Sequence, residues 1–227
     1  MEAINWEKTI AANWRARQER LRAVEDVDLQ QLDRLLCIDR QKQAFIGNIE
    51  KFLQGKPINH VLLWGARGTG KSSLVKAALN AYHQQGLRVI EISKDELHYL
   101  VDITDEIRGL DYSFIILCDD LSFEEGETSF KELKSTLQGS IERPPENVLI
   151  VATSNRRHLI PEQMKDNEQS TYVDGEVHHA DTVQEKMSLV DRFGLALSFY
   201  PMTQDEYFAI VDLYFQNVNV DDIERIH

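Results

Sequence analysis

Gly65, Gly70, Lys71 and Ser72 have the types and spacing that give the clearest chemical signal in this chain. They fill the fixed positions of the pattern G-x-x-x-x-G-K-[ST] within HVLLWGARGTGKSSLVKAAL, a stretch typical of an apolar strand, a glycine-rich turn and a helix. Glycines let the backbone wrap closely around a phosphate with its N–H groups pointing inward, and the helix presents its positive end to the anion. The lysine would reach the β- and γ-phosphates, and the serine hydroxyl would bind Mg²⁺.

The whole loop is predicted to hold ATP or ADP together with Mg²⁺. The residues expected to contact the nucleotide are Gly65, Ala66, Arg67, Gly68, Thr69, Gly70, Lys71, Ser72 and Ser73. Arg67 is not required by the motif, so its side chain would face either solvent or a neighbouring subunit. A tight strand–helix turn without a ligand is the alternative explanation, but a complete motif in this context favours phosphate binding.

Two acids follow a second apolar strand, in the stretch FIILCDDLSF. In P-loop proteins a carboxylate at the carboxyl end of such a strand lies beside the phosphate-binding loop and holds Mg²⁺. Asp119 comes directly after the apolar run, so we assign it this metal-binding role together with Ser72. Asp120 is then placed to orient or deprotonate the attacking water. The assignment depends on the pairing with the phosphate-binding loop, because two acids after an apolar strand are weak evidence alone.

A third apolar strand ends in polar residues, in the stretch NVLIVATSNRRHLIP. These residues are Thr153, Ser154 and Asn155, and an asparagine here can simply bond the backbone of its own turn. The stretch also resembles the sensor-1 strand of the AAA+ superfamily of ATPases, in which a polar residue contacts the γ-phosphate or the attacking water. The resemblance implies a catalytic role for Asn155.

Two further stretches are similar to AAA+ segments. EKMSLVDRFGLALSFYP resembles the box that ends in Arg-Phe, whose arginine reaches the nucleotide of a neighbouring subunit, and Arg192 occupies that position. LLCIDRQKQAFIGNIEKFL resembles the helix that leads into an AAA+ core, which implies that residues 36–38 lie near the adenine. The chain resembles a bacterial family of AAA+ ATPases catalogued mainly as a domain of unknown function. Four stretches carry this resemblance: LLWGARGTGKSSLVKA, CDDLSFEEGE, ATSNRRHLIPE and DRFG. The resemblance covers residues 32–215 and implies work as a ring or partial ring.

The chain departs from the usual AAA+ pattern at two points. Its second strand-end acid is Asp120, where these proteins usually carry glutamate, and we expect the shorter side chain to hold the water differently and to make hydrolysis slow. No Gly-Ala-Arg-like segment follows in the lid, so no lid arginine is assigned. The shortened lid is what a fragment of a longer protein would show.

The elements that must position these residues alternate between strands and helices. Apolar strands are predicted at residues 61–64, 88–92, 114–118, 147–152 and 195–199. Helices are predicted at residues 32–53, 71–85, 94–108 and 128–138, and a further amphipathic helix follows a capping box formed by Thr203 and Glu206. This alternation implies an α/β fold of the P-loop type, with a five-stranded parallel sheet covered by helices on both faces. The last helix would begin a partial C-terminal helical lid.

The N-terminal segment is the most basic part of the chain. Residues 6–22 contain one lysine and four arginines against two glutamates, and their apolar residues fall roughly on one helical face. We predict a helix with a solvated basic face that packs on the core or docks a partner, and lipid or nucleic-acid contact is the less favoured alternative. The predicted domains are a helical arm at 1–31, the ATPase core at 32–200 and the start of the lid at 201–227.

Composition restricts the remaining possibilities. The net charge of −13 repels nucleic-acid phosphates, so direct nucleic-acid binding is not favoured. No apolar run approaches the ~18 residues of a membrane span, and the start lacks an apolar signal sequence. Two cysteines give no disulfide framework. These observations together favour a cytoplasmic location.

Three functions fit the sequence. The first is Mg²⁺-dependent ATP hydrolysis by a homo-oligomer that remodels or assembles an unknown protein partner. The second is a nucleotide-gated assembly switch with little hydrolysis, which the short side chain of Asp120 keeps open. The third is a small-molecule or nucleotide kinase, for which the expected lid arginines and acceptor pocket are not visible and the pattern of Asn155 and Arg192 is unnecessary.

Overall fold

A seven-stranded, mostly parallel sheet forms the centre of the protein. The computed structural model describes residues 4–121, 133, 144–155 and 191–215. Its strands are β1 (Ala11–Arg15), β2 (Arg20–Ala23), β3 (Val61–Gly65), β4 (Leu87–Ile92), β5 (Ser113–Cys118), β6 (Val148–Ser154) and β7 (Leu195–Phe199). They lie in the order β2-β1-β4-β5-β6-β3-β7, and β2 alone runs antiparallel to its neighbour.

Strands of the central part of the sheet are apolar on both sides, as in β5. Phe114 and Ile116 belong to one core cluster, and Ile115 and Leu117 belong to the other. A strand with no polar side cannot face water, so the sheet is covered on both faces. The prediction of an α/β fold with a doubly covered parallel sheet is therefore confirmed.

Four α-helices are described in these parts of the chain: α1 (Asp39–Leu53), α2 (Lys71–Tyr82), α3 (Leu100–Ile107) and α4 (Gln204–Phe215). Apolar residues of α1 and α2 pack on one face of the sheet, and those of α3 pack on the other. Helix α4 buries none of its side chains in the described structure. It begins after the predicted capping box, in which the side chain of Thr203 and the carboxylate of Glu206 form reciprocal hydrogen bonds.

Short 3₁₀ turns replace parts of three predicted helices. The predicted helix 71–85 is α2 followed by a 3₁₀ turn at His83–Gln85. The predicted helix 32–53 is a 3₁₀ turn at Leu32–Arg34 and then α1, because Cys37 has a left-handed φ of 63° that interrupts the helix. The predicted helix 94–108 begins as a 3₁₀ turn at Lys94–Tyr99 and continues as α3. The predicted helix 128–138 lies outside the described residues except for position 133.

The predicted N-terminal helix is wrong, and the sheet has two strands more than predicted. β1 pairs in parallel with β4, with Ala12 opposite Ile90, and β2 returns antiparallel beside β1. Alternate residues such as Ala12 and Trp14 enter the core, which is the period of a strand. The buried guanidinium of Arg88 also fixes the preceding segment, because its Nε and Nη2 donate to the carbonyl oxygen of Trp6 at 2.9 and 2.7 Å. Residues 11–23 therefore form strands because backbone pairing with β4 stabilises an extended conformation there.

The described helices offer no candidate for a membrane span, since none is both long enough and apolar enough.

The imidazole of His60 makes the acid stability of this fold testable. Its Nδ1 accepts a hydrogen bond from the backbone N–H of Ile150 at 3.1 Å, next to the start of β3. Burial lowers the pKa of His60 from 6.5 to about 4, so the unfolded chain binds this proton more tightly than the folded chain. The free energy of unfolding should therefore fall as pH decreases from 6.5 towards 4, by up to about 3 kcal/mol. Urea unfolding at a series of pH values measures this change.

His60→Gln is the matched variant for this measurement. It keeps a side-chain acceptor but cannot titrate, so the free energy of unfolding should depend less steeply on pH between 6.5 and 4. Equal slopes in the variant and the parent would contradict the assignment of this titration to His60.

Candidate functional site

The glycine-rich loop begins where β3 meets the end of β7. Gly65 has a φ of 128°, and a Cβ atom built on it would lie 2.0 Å from the carbonyl oxygen of Phe199. That carbonyl accepts a hydrogen bond from the backbone N–H of Ala66 at 2.8 Å. Glycine is therefore required here by both the backbone conformation and the close approach of β7. The loop ends at Gly70, whose φ of 92° leads into α2.

Lys71 is buried at the start of α2 and is held by the loop itself. Its Nζ donates to the carbonyl oxygens of Gly65 and Ala66 at 3.1 and 2.6 Å. Burial lowers the pKa of the Lys71 ammonium, and the nearby carboxylates of Asp119 and Asp120 act in the opposite direction. Within the described part of the chain, the hydrogen-bond partners of this cation are neutral carbonyls. It is therefore well prepared to bind an anion, because phosphate oxygens offer stronger charge-assisted bonds.

Asp119 is the point at which the ends of β5 and β6 meet the start of α2. Its Oδ1 accepts hydrogen bonds from Ser72 Oγ at 2.7 Å and from Thr153 Oγ1 at 2.6 Å. The structure thus brings together Ser72 and Asp119, the two residues predicted to bind Mg²⁺. Mg²⁺ is commonly bound by one or two protein oxygens together with substrate phosphates, and this pair offers such oxygens.

Asp120 adopts an unusual backbone conformation that turns the chain away from β5. Its φ of 54° lies in the left-handed region, and its backbone N–H donates to Thr153 Oγ1 at 2.9 Å. Its carboxylate accepts a hydrogen bond from Asn155 Nδ2 at 2.5 Å. Arg67 Nη2 lies 3.9 Å from the same carboxylate, and both side chains are largely exposed, so this ion pair contributes little to stability. The predicted water-orienting acid and the predicted sensor asparagine are therefore in direct contact.

A cavity of about 650 Å³ opens in front of this constellation. It is lined by loop residues 66–69, by Asp120 and Asn155, and by Pro201, Met202 and Tyr207 just before and within the first turn of α4. The glycine-rich loop and the beginning of α4 therefore face the same space. Thr153 and the three residues around the start of α4 were not predicted to take part in the site. The polar end of β6 was the sequence signal for Thr153, whereas no motif marked the other three.

Ile38 and Arg192, both predicted to lie near a nucleotide, differ in their distance from the glycine-rich loop. Ile38 is buried, and its Cδ1 lies 3.6 Å from the position of a Cβ atom on Gly70, so Ile38 borders the loop. The position of residues 36–38 near an adenine stays a prediction. Arg192 is exposed and lies three residues before β7. The first residue of β7, Leu195, donates its N–H to the carbonyl of His60 at the amino end of β3. The loop follows the carboxyl end of β3, so Arg192 and the loop lie at opposite ends of the parallel strands.

Comparisons with known proteins agree with this fold. The family described as "Protein of unknown function (DUF815)" matches residues 7–226. The large subunit of replication factor C from Staphylothermus marinus is 41% identical over 66 residues, which are 29% of this chain and 15% of that protein.

Two solved structures are similar in fold. A RuvB variant from Thermotoga maritima is 17% identical with a TM-score of 0.51, and the Orc1 protein of Aeropyrum pernix, solved in complex with DNA, is 15% identical with a TM-score of 0.52. Each match covers 82% of this chain and 53% of the other, so the chain spans about half the length of these structures. With the family match over nearly the whole chain, the conclusion is that this protein belongs to the DUF815 family and has the fold of an AAA+ P-loop ATPase.

Proposed function

We propose that the chain binds ATP with Mg²⁺ in the cavity beside the glycine-rich loop and hydrolyses it within a homo-oligomer that remodels or assembles a protein partner. The observation that carries the proposal is the shared hydrogen bonding of Ser72 and Thr153 to Asp119 beside a buried Lys71. These groups converge on one point at the carboxyl edge of a parallel sheet, which is where α/β proteins bind their ligands.

Each residue of the site has a distinct chemical task in this proposal. Lys71 exchanges its two carbonyl contacts for the β- and γ-phosphates, and the loop N–H groups bind the remaining oxygens. Ser72 and Asp119 would hold Mg²⁺, which would neutralise charge on the phosphates. Asp120 orients the attacking water and accepts its proton, and Asn155 fixes the Asp120 carboxylate through the contact already present in the structure.

A nucleotide-gated switch with little hydrolysis is the second candidate. It is favoured by the carboxylate of Asp120, which is already bound by Asn155 and carries one methylene fewer than the glutamate usual at this position. In that case ATP would promote assembly with a partner, and phosphate release would be slow. The two candidates differ in turnover and agree on nucleotide binding.

Substitutions of Asp120 should separate these candidates. Asp120→Asn should retain ATP binding but nearly abolish hydrolysis, because only the acceptor of the water proton is lost. Asp120→Glu moves the carboxylate by about 1 Å, a displacement that can change the rate by about 10²-fold. If the site is a slow ATPase, we expect the glutamate variant to release phosphate faster than the parent protein. Phosphate release and equilibrium ATP binding are measured on the same samples.

Asp119→Ala is the comparison variant for these measurements. It removes the acceptor shared by Ser72 and Thr153, so we expect it to weaken the Mg²⁺ dependence of binding as well as hydrolysis. Unchanged phosphate release in Asp120→Asn would contradict the assignment of Asp120 as the base. Absence of release from the parent protein at every concentration would favour the switch.

A further inference from the structure

Hydrogen bonds fasten the segment that carries the two acids to the end of β6. The backbone N–H of Asp120 donates to Thr153 Oγ1 at 2.9 Å, and the backbone N–H of Leu121 donates to the carbonyl oxygen of Thr153 at 2.8 Å. Ser154 Oγ donates to the carbonyl oxygen of Leu121 at 2.9 Å. These bonds lie beyond the last paired residues of β5 and β6, so they hold a segment that strand pairing no longer holds.

The hydroxyl of Thr153 bonds both acids, and the direction of each bond is fixed. A hydroxyl has one proton to donate and two lone pairs that accept. Because the N–H of Asp120 can only donate, Thr153 Oγ1 accepts there and gives its own proton to Asp119 Oδ1, at 2.6 Å. Thr153 is only 2% exposed, so bulk water does not compete for either bond. One buried hydroxyl therefore links the backbone of one acid to the carboxylate of the other.

The backbone conformation of Asp120 makes this link necessary. Its left-handed φ of 54° costs free energy for a residue other than glycine, and such a conformation persists only where surrounding contacts hold it. The Asp120 carboxylate accepts a hydrogen bond from Asn155 Nδ2. The Asp119 carboxylate accepts from the hydroxyls of Ser72 and Thr153 instead. The two neighbouring acids thus have different partners, and Thr153 contacts the turn that separates them.

We propose that Thr153 is a positioning residue that fixes the metal-binding acid and the water-orienting acid relative to each other. This role rests on the proposed ATPase function and acts through the two acids. Loss of a side chain that hydrogen-bonds a metal ligand costs about 10- to 100-fold in metal affinity or activity. Displacement of a reacting group by about 1 Å costs about 10²-fold in rate. Removing this hydroxyl should therefore impair Mg²⁺ binding and turnover, whereas the contacts of the glycine-rich loop with phosphate should remain.

Thr153→Val tests this role, because valine keeps the branched shape and strand preference of threonine but lacks the hydroxyl. Turnover at saturating ATP and Mg²⁺ should fall by about 10²-fold. The Mg²⁺ concentration that gives half of the Mg²⁺ effect on ATP affinity should rise by about 10- to 100-fold. ATP affinity without Mg²⁺, measured by calorimetry, should match that of the parent protein, since Lys71 is held within the loop.

Thr104→Val is the matched control, because it makes the same change at another buried threonine. Thr104 Oγ1 donates to the carbonyl oxygen of Leu100 within α3 at 2.6 Å and bonds neither acid. We expect this variant to keep the turnover and Mg²⁺ dependence of the parent protein. Thr153→Ser retains the hydroxyl and should recover most of the turnover that Thr153→Val loses. Thermal unfolding of all three variants identifies any general loss of stability.

Amide hydrogen exchange gives a measurement that needs neither nucleotide nor turnover. In the isotope-labelled parent protein, the N–H of Asp120 should be protected from exchange, because Thr153 Oγ1 accepts its hydrogen bond. In Thr153→Val this N–H should exchange about tenfold faster. The N–H of Leu121 should be unaffected, since it bonds the backbone carbonyl of Thr153. An unprotected Asp120 N–H in the folded parent protein would overturn the proposal even if the valine variant failed to fold.

Failure of this role and failure of the proposed function give different results. A parent protein that binds no ATP would overturn both. Undiminished turnover and Mg²⁺ dependence in Thr153→Val, with an active parent protein, would overturn the role of Thr153 alone. If the parent protein binds ATP but releases no phosphate, the Mg²⁺ titration decides, and equal Mg²⁺ dependence in the variant would overturn the role. An equal loss in Thr104→Val would also overturn it, because the effect would then be general destabilisation.

Discussion

Replacing Lys71 with alanine should weaken ATP binding by at least about tenfold, because a buried charge-assisted contact to phosphate is lost. Its Nζ is held by the carbonyl oxygens of Gly65 and Ala66, and no acid among the described residues pairs with it. The cation is thus already positioned inside the loop before a phosphate binds. Trp64 directly precedes Gly65 and is half-buried, so its fluorescence should report binding in a titration with ATP.

Lys76→Ala is the matched control for this experiment. Lys76 lies further along the same helix, where its Nζ forms an exposed ion pair with Asp28 at 2.8 Å. We expect the control to keep its affinity for ATP, since an exposed ion pair of this kind contributes little. Undiminished affinity in Lys71→Ala would be incompatible with phosphate binding by the loop.

The arrangement of the site could be anticipated from strand ends because the sheet is parallel. The carboxyl ends of β3, β5 and β6 lie at one edge, so polar residues that follow each apolar run must meet there. This reasoning predicts that Asp119 lies beside Lys71, whereas a role for Asn155 was implied only by the resemblance to the sensor-1 strand. The sequence motif also marked Gly65, and the structure gives the physical reason in the carbonyl of Phe199.

Contacts that depend on backbone conformation could not be predicted from the sequence. Asp119 and Asp120 are chemically alike, and the sequence alone does not show that their side chains part at a left-handed φ of 54°. That turn lets Thr153 accept from the Asp120 N–H while donating to Asp119, a link between the two acids that no motif describes. The role of Thr153 therefore emerged only from the geometry.

The N-terminal segment was misassigned because its apolar residues fit two periods. Trp6, Trp14 and Leu21 are compatible with one face of a helix, and over so short a segment they also fit a pair of strands. The deciding factor is tertiary: β4 has a free edge, and β1 supplies the partner that its backbone groups require. Arg88, far along the chain, then holds the carbonyl of Trp6.

Arg192→Ala should retain ATP binding but lower hydrolysis by about a thousandfold, if the arginine completes a neighbour's site. Arg192 precedes β7, and the opposite end of that strand, at Phe199, contacts the glycine-rich loop through Ala66. Five strand residues span about 16 Å, which is farther than an arginine side chain can reach. We therefore propose that Arg192 acts on the nucleotide of an adjacent copy, and that turnover per protomer rises with protein concentration. Steady-state phosphate release over a range of protein concentrations measures this.

Mixing two inactive variants tests the action between copies more sharply. Arg192→Ala has an intact loop and Lys71→Ala has an intact arginine, so mixed oligomers should regain part of the turnover that each variant lacks alone. Asp191→Asn, a change at the adjacent exposed position, should leave hydrolysis and oligomerisation close to those of the parent protein. If Arg192 only stabilised the fold, its alanine variant would unfold at a lower temperature and mixing would restore nothing. Turnover that is independent of concentration, together with no recovery on mixing, would contradict a role across the interface, because a site complete within one protomer needs no neighbour.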